Sequence, residues 1–426
     1  MNKLISLLTA ALMVATQTAN AQRILTYKEY MKNVREKNIE YMVEKYEVSI
    51  AEANAQAAKV FPDPELSVSY EDYEDWDLET GRGYAAELDY TLELGGKRRA
   101  RMAVARSEQQ MTEALVEDFF RNLQADATLC YLETLMQKQL TALAQSSWQS
   151  MRDLARGDSL RHALGEIAEV DAMQSRLEAT TMMTYFLQAE VGYKNMLSDL
   201  AVFEGGAAAI DSITDVETGR VETGRAPSLQ IKYNLSDLIE QAQDNRADLK
   251  AAIRGKELSA ANMKLAKANR VIDLGLNIGF ARLIERNVEG EAPGFRHVSA
   301  GISIPLKFSN TNKGELRAAQ FSERQAEAQY DAILLQIRKE VEQTYHTCIS
   351  AFRQAELYQT STLADAASIL EKKKYSYARG ETSLLEVLDA QRTANEVYQS
   401  YYETIYNANA SLVELCRVVG IWDLDF

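Results

Sequence analysis

The sequence is poor in proline, cysteine and histidine, and each shortage narrows the class of protein. Only five prolines occur in 426 residues, beside abundant alanine, glutamate and leucine, which favours long helices. The chain has an odd number of cysteines, Cys130, Cys348 and Cys416. An odd number is not typical of a disulfide framework. The three histidines show no ligand spacing, so we expect neither a metal site nor a cofactor.

Long apolar runs and catalytic motifs are also missing. After the N-terminus no run of about 18 apolar residues occurs, so we expect no transmembrane helix, while a soluble envelope protein and an outer-membrane β-barrel both stay open. The chain has no Gly-x-Ser-x-Gly elbow, paired-histidine zinc motif or glycine-rich phosphate loop, so we expect no enzyme. A formal net charge of −15 argues against nucleic acid as a partner.

The first 21 residues have the pattern of a secretory signal peptide. Lys3 supplies the positive region, residues 4–15 the apolar region, and Ala19-Asn20-Ala21 the small-residue cleavage site. We therefore expect residues 1–21 to be removed. The cleavage point carries no cysteine, so we expect no lipid anchor.

The remaining chain is an internal duplication. Residues 163–176 around Gly165 align with residues 378–391 around Gly380, and Cys130 recurs as Cys348 on an equivalent helix. Each copy predicts a helix, two strands, a very long helix, a turn and a returning helix. A final seam, with apolar residues three and four apart from Leu384 onward, is typical of a coiled coil.

The two repeats predict matching elements. The first repeat, 22–203, has strands at 65–70 and 85–94 and helices at 97–164 and 166–202, after a helix within 24–60. The second repeat, 235–426, has strands at 272–283 and 296–307 and helices at 313–378 and 381–419, after a helix at 235–269. Residues 204–234, rich in glycine, serine and threonine, predict a linker.

All four predicted strands alternate apolar and polar residues over about ten positions, the length of a tilted membrane-spanning strand. Four strands cannot close a barrel, and open edges are not tolerated in lipid, so we expect three copies to contribute twelve strands. Tyr70, Tyr84 and Tyr90 are candidates for an aromatic girdle. The alternative is a soluble α+β protein with two hairpins packed on helices. It explains the alternation but not helices of about 100 Å.

Three motifs resemble the TolC family of outer-membrane efflux channels: Phe61-Pro-Asp-Pro64, residues 301–306 and residues 380–391. Residues 92–101 resemble the heavy-metal, CzcC-like branch in particular. The resemblance implies a mainly α fold with a transmembrane β part. A homotrimer would form a 12-stranded barrel in outer-membrane lipid and a long helical barrel across the periplasm.

The resemblance implies a passive exit duct for small molecules or metal ions in a tripartite efflux system. Its partners would be a periplasmic adaptor protein and an inner-membrane pump, which would choose the substrate. One alternative is the exit duct of a type I-like peptide or protein secretion system. Another alternative is a structural coiled-coil envelope protein. The four amphipathic strands argue against it.

The resemblance also implies a site at the closed periplasmic tip. Gly165 and Gly380 would form its two turns and, with Glu166 and Glu381, dock the adaptor.

Glu386 and Asp389 match an acidic gate ring, whose carboxylates we expect to raise one another's pKa in a trimer. The alternative is that both are solvated positions on a coiled-coil surface. Thr382 stands where some members have a basic residue that helps to hold the tip shut.

Overall fold

A computed structural model describes residues 23–72, 82–206, 213–217, 234–283, 296–306, 308, 311–358 and 362–422. The predicted signal peptide and most of the predicted linker lie outside the described residues. In chain order the elements are β1 (Arg23–Leu25), α1 (Tyr27–Lys37), α2 (Ile39–Ala57), β2 (Glu65–Asp72), β3 (Arg82–Leu92), α3 (Lys97–Ala163), α4 (Glu169–Phe203), β4 (Ile213–Val216), α5 (Leu235–Asn245), α6 (Ala247–Ala268), β5 (Leu274–Leu283), β6 (Arg296–Ser303), α7 (Lys313–Leu357), α8 (Leu363–Ala378) and α9 (Leu384–Val419).

The chain divides into two compact units. The first comprises Met1–Glu44, Asp118–Arg246 and Gln336–Phe426, and the second Lys45–Glu117 and Ala247–Leu335. Among the helices in the described parts of the chain, none has both the length and the apolar character needed to cross a membrane.

A single antiparallel sheet forms the centre of the second unit, with the strand order β2-β3-β5-β6. The first repeat thus supplies one hairpin and the second repeat the other, and β3 joins β5 across the duplication. β2 and β6 are the two edges of this sheet. Lys97, at the start of α3, donates to Asp273 just before β5 at 2.6 Å, which ties the helix to the adjoining strand.

The two faces of this sheet differ in chemistry, as the alternation predicts. Leu66, Leu88, Ile278 and Ala300 share one register row, and Val68, Ala86, Phe280 and Val298 share the next. The apolar side chains of this face are exposed in the protomer, Val68 at 74% and Val298 at 75%. On the other face the amide of Asn277 donates to the carboxylate of Glu87 at 2.6 Å.

The predicted aromatic girdle is split between two levels. Tyr70 and Tyr84 lie opposite each other with ring centroids 5.1 Å apart. Tyr90 lies opposite Leu276, six residues further along β3. At 3.3 Å per residue that separation is about 20 Å, so Tyr90 lies near the opposite end of the strand.

In the first unit, β1 and β4 form a short parallel pair that the sequence does not predict. Strand β1 falls within the predicted first helix, and β4 within the predicted linker. The hydroxyl of Tyr131 donates to the carbonyl oxygens of Leu25 and Glu217 at 3.2 and 2.9 Å, and Tyr193 donates to Asp215 at 2.6 Å. These bonds fasten the pair to α3 and α4.

The long helix of the first repeat is continuous over 67 residues. Its counterpart, predicted as one helix over 313–378, is described as α7, which ends at Leu357, and α8, which begins at Leu363. Tyr358 and Thr362 have π-helical backbone, and residues 359–361 lie outside the described residues. Three residues fewer separate Cys348 from Gly380 than separate Cys130 from Gly165. A loss of three residues disturbs a heptad seam, and the two π-helical residues lie within this shortened stretch.

Other boundaries differ by smaller amounts. The predicted first helix of each repeat is divided, at Asn38 and at Arg246. β3 lies over Arg82–Leu92 instead of 85–94, and β6 ends at Ser303 instead of 307. The returning helices begin at Glu169 and Leu384, three residues later than predicted, because the turns before them take more of the chain.

Candidate functional site at the two helix turns

The two repeats make the same turn at Gly165 and Gly380. Both glycines have left-handed backbone, with φ of +79° and +74°. The next residue's N–H reaches back into the helix, from Glu166 to the carbonyl of Arg161 at 2.8 Å and from Glu381 to that of Ser376 at 2.9 Å. This is the Schellman arrangement, which glycine adopts without steric cost. The predicted turn residues therefore form the same Schellman motif in both repeats.

A buried hydrogen bond joins the ends of α3 and α8 close to these turns. The hydroxyl of Tyr377 donates to Oδ1 of Asp158 at 2.9 Å, and Asp158 is only 2% exposed. The guanidinium of Arg161 lies 5.3 Å from the Tyr377 ring centroid and 3.9 Å from Oδ1 of Asp158. Burial, followed by the hydrogen bond to Asp158, raises the pKa of Tyr377 well above its usual value. Tyr377 is therefore a neutral donor at physiological pH.

An apolar cluster surrounds this bond. Tyr377, Leu384 and Val387 are buried together, and Leu154 of α3 packs against them with Leu388. Helix α3 thus contacts both α8 and α9 here. Sequence reasoning missed Tyr377 and Asp158. The available signal was the position of Asp158, one helical turn after Leu154 on the same side of α3.

Further from the turns, the seam between α3 and α9 is polar. Ser147 donates to Oδ1 of Asn395 at 2.7 Å, and the side-chain amide of Gln391 donates to the same oxygen at 3.0 Å. Ser147 and Gln391 are each 4% exposed. Oε1 of Gln391 is buried and has no hydrogen-bond partner in the described part of the chain.

Lys374 of α8 makes a contact with α3 between the Tyr377–Asp158 bond and the polar seam at Gln391. Its ammonium donates to Oγ of Ser150. Burial lowers the pKa of Lys374. Thr382 is half-buried, and its hydroxyl meets no partner among the residues the structure describes. The polar contacts between α3 and the α8–α9 hairpin thus include those of Tyr377, Lys374 and Gln391, and none from Thr382 occurs among the described residues.

The predicted gate residues Glu386 and Asp389 are exposed, and each faces a cation. Nζ of Lys373 lies 2.6 Å from Glu386, and the guanidinium of Arg392 lies 2.8 Å from Asp389. The hydrogen bond from Lys373, with a further bond from the backbone at Ser383, lowers the pKa of Glu386. Within the protomer this is the opposite of the raised pKa that we expected from a ring of carboxylates.

The outer surface of the turns is acidic and aliphatic in both repeats. Glu166 and Glu381 are more than half exposed and lie 3.4 Å from Arg161 and 3.1 Å from Arg379, respectively. Exposed aliphatic side chains follow at equivalent places, Val170 at 69% and Leu385 at 68%.

The structure shows no metal-ligand cluster in the described residues, where no group of three His, Cys, Asp or Glu side chains is placed to hold an ion. Cys348 is buried and Cys130 half-buried, and burial raises the pKa of the Cys130 thiol to about 12. Both cysteines are therefore unreactive packing residues.

Comparison with known proteins identifies this architecture. Residues 238–421 match the family model of the outer membrane efflux proteins. Over these residues the chain is similar to the outer membrane efflux protein family. The match covers the second repeat and includes Gly380, Glu386 and Asp389.

Relatives of this efflux protein extend the likeness into the first repeat. The cobalt-zinc-cadmium resistance protein CzcC of Cupriavidus metallidurans is 22% identical over 375 residues, 88% of this chain and 85% of CzcC. The probable outer membrane lipoprotein SilC of Salmonella typhimurium is 23% identical over 394 residues, 88% of this chain and 81% of SilC.

Solved channels share the fold of this efflux protein. The structure of CusC superposes with a TM-score of 0.75 at 17% identity, over 93% of this chain and 92% of CusC. The Campylobacter jejuni outer membrane channel CmeC gives a TM-score of 0.76 at 14% identity, over 92% and 85% of the two chains. The TolC-like fold and the efflux family expected from the sequence are confirmed. This efflux protein is an outer-membrane channel of the tripartite efflux class, and its homologues are channels, not enzymes.

Proposed function

We propose that this outer-membrane channel passes heavy-metal cations, as a homotrimer coupled through a periplasmic adaptor to an inner-membrane pump. The similarity to CzcC over 88% of the chain carries the choice of substrate. The net charge of −15 is consistent with a duct that tolerates cations. The peptide-secretion alternative has no observation in its favour.

Two features of the sheet support the trimer. The edge strands β2 and β6 leave backbone groups to be paired by another chain. The apolar face is exposed in the protomer and suits contact with lipid, where an open edge is not tolerated. Three copies supply twelve strands, an even number within the range of outer-membrane barrels. The mass of the detergent-extracted protein under native conditions should be that of three chains, and a dispersed monomer would refute the assembly.

The two turns are the proposed adaptor-docking surface. Gly165 and Gly380 present the same backbone device, and Glu166 and Glu381 stand exposed beside it. The exposed Val170 and Leu385 add matched apolar contacts. An adaptor with two similar sites, each apolar with a basic rim, would fit both turns.

Glu386 and Asp389 are the proposed cation-binding ring of the entrance. Their partners Lys373 and Arg392 make this level neutral within one protomer, so a multivalent cation must displace an ammonium or guanidinium group to bind. In planar bilayers, Glu386→Gln with Asp389→Asn should abolish block by multivalent cations, while Lys373→Gln should strengthen it. If neither substitution changes the block, both carboxylates are ordinary solvated positions.

The substrate class is tested by resistance in cells. A strain without this gene should become sensitive to cobalt, zinc and cadmium salts, and the wild-type gene should restore growth. An assembly-defective variant should not restore it. Sensitivity confined to dyes or antibiotics would refute heavy-metal export while leaving the channel function intact. Loss of an exported peptide would favour the secretion alternative.

A further inference from the structure

The apolar rows of one face of the sheet give way to a row of four polar-tipped side chains, and only Asp72 and Arg82 follow on that face within the described strands. Tyr70, Tyr84, Arg282 and Arg296 lie opposite one another on β2, β3, β5 and β6. The next row along the same face is entirely apolar, with Val68, Ala86, Phe280 and Val298. The two arginines therefore share the apolar face, not the face that carries Glu87 and Asn277.

This row lies at the end of the sheet away from the helices of the second unit. The four strands connect to helices at their other ends, through Glu65, Leu92, Leu274 and Ser303. Between Arg282 and Leu274 the apolar face extends for eight residues, about 26 Å along the strand. At a strand tilt of about 40° this is about 20 Å of height, close to the apolar band of about 25 Å on outer-membrane barrels. The row therefore falls at headgroup depth, and Tyr70 and Tyr84, whose rings contact at a tilted angle, suit the same level.

The two arginines form an unusual cross-strand pair. Arg282 and Arg296 are directly opposite in antiparallel register, where like charges destabilise a sheet. Both side chains are exposed, and neither makes an ion pair with any carboxylate in the described part of the chain. An anion placed between the two guanidinium groups removes this repulsion. A phosphate suits the position because arginine binds its oxygens in a two-pronged arrangement.

We propose that Arg282 and Arg296 bind the phosphate of a phosphorylated lipid headgroup at the outer rim of the barrel. The inference rests on the proposed membrane-embedded trimer. The acyl chains of the bound lipid would lie along the apolar rows below, over Phe280 and Val298, while the tyrosines flank its headgroup. A trimer repeats the site three times.

The test compares lipid binding by variants that assemble. Wild-type trimer in a neutral detergent is titrated with bisphosphorylated lipid A, with its dephosphorylated form and with inorganic phosphate, and bound lipid is counted by native mass spectrometry. The phosphorylated lipid should bind about tenfold or more tightly than the dephosphorylated one. Arg282→Gln with Arg296→Gln should abolish this preference. Arg353→Gln, at an exposed arginine on α7, is the matched control and should retain it.

The remaining outcomes distinguish lipid phosphate from free phosphate as the bound anion. They also distinguish failure of the lipid site from failure of the proposed trimer. If inorganic phosphate at millimolar concentration displaced the phosphorylated lipid as effectively as added lipid does, the arginine pair would be a site for free anions and the lipid proposal would be overturned. An unchanged preference in the double glutamine variant would also overturn the proposal. A monomeric wild-type protein would instead refute the proposed assembly. The double lysine variant should keep only part of the preference, because lysine retains the charge but not the two-pronged geometry.

Discussion

The bond between Tyr377 and Asp158 is the contact that we predict to hold the proposed periplasmic entrance closed. In Tyr377→Phe the ring keeps its place in the apolar cluster, while Oδ1 of Asp158 loses its hydroxyl donor. Oδ2 already has no hydrogen-bond partner in the described residues, and at 2% exposure water does not replace the lost donor. The substitution therefore leaves a buried carboxylate without a hydrogen bond from a side chain.

The size of the effect follows from that loss. A hydrogen bond to a charged group contributes about 1.5–3 kcal/mol. The larger cost of about 3–5 kcal/mol for an isolated buried charge does not apply in full, because Arg161 stays 3.9 Å away. We expect the open-to-closed ratio to rise roughly tenfold to a hundredfold per protomer, since about 1.36 kcal/mol corresponds to a factor of ten.

Single-channel conductance in planar bilayers measures this ratio. Tyr377→Phe should give longer and more frequent openings with an unchanged yield of trimer. Tyr375→Phe is the control on the same helix, since Tyr375 is 64% exposed and its hydroxyl accepts a hydrogen bond from Arg379, which also lies over its ring. Combining Tyr377→Phe with Asp158→Asn should change the ratio by less than the sum of the two single effects. Conductance identical to wild type in Tyr377→Phe would show that this bond does not hold the tip.

Two further predictions concern the sheet and the pH response. Ile278→Arg, on the apolar face between the two ends of β5, should reduce assembly at a cost of about 2–4 kcal/mol near the bilayer midplane, whereas Ser303→Arg on the polar face should assemble normally in the same refolding assay. Equal assembly of the two would show that the faces are assigned wrongly. The lowered pKa of Glu386 means that its contact with Lys373 stabilises the protomer above the usual glutamate pKa and is lost as pH falls through the lowered value. Acid should therefore lower the stability of the α8–α9 hairpin, measured by thermal unfolding, more in wild type than in Glu386→Gln, and equal responses would exclude this carboxylate as the cause.

Sequence patterns predicted the parts of this fold that depend on local periodicity. The alternation in all four strands, the heptads after Leu384 and the repeated Gly-Glu turn each reflect physics acting over a few residues. Strands as short as β1 and β4 carry no such period, and they form because Tyr131 and Tyr193 bond to them from distant helices.

The same limit applies to the site. Gly165 and Gly380 were predicted from a repeated local motif, whereas Glu386 and Asp389 came from the family resemblance and stay predictions as gate residues. The partner of Tyr377 lies 219 residues away along the chain, and no local pattern connects the two. Lys373 is one of three successive lysines, and only the folded hairpin shows which of them meets Glu386.

The side-chain carbonyl of Gln391 affects the stability of the packed seam between α3 and α9. A buried polar atom without a hydrogen bond costs about 1–3 kcal/mol, and Oε1 of Gln391 has no partner in the part of the chain that the structure describes. Once the two helices separate, water satisfies it, together with Ser147 and Asn395. The packed arrangement is thus less favourable than its apolar contacts alone would make it. Hydration of these polar side chains therefore offsets part of the free energy that is lost when the two helices separate. A coiled-coil seam built only from leucine has no such compensation.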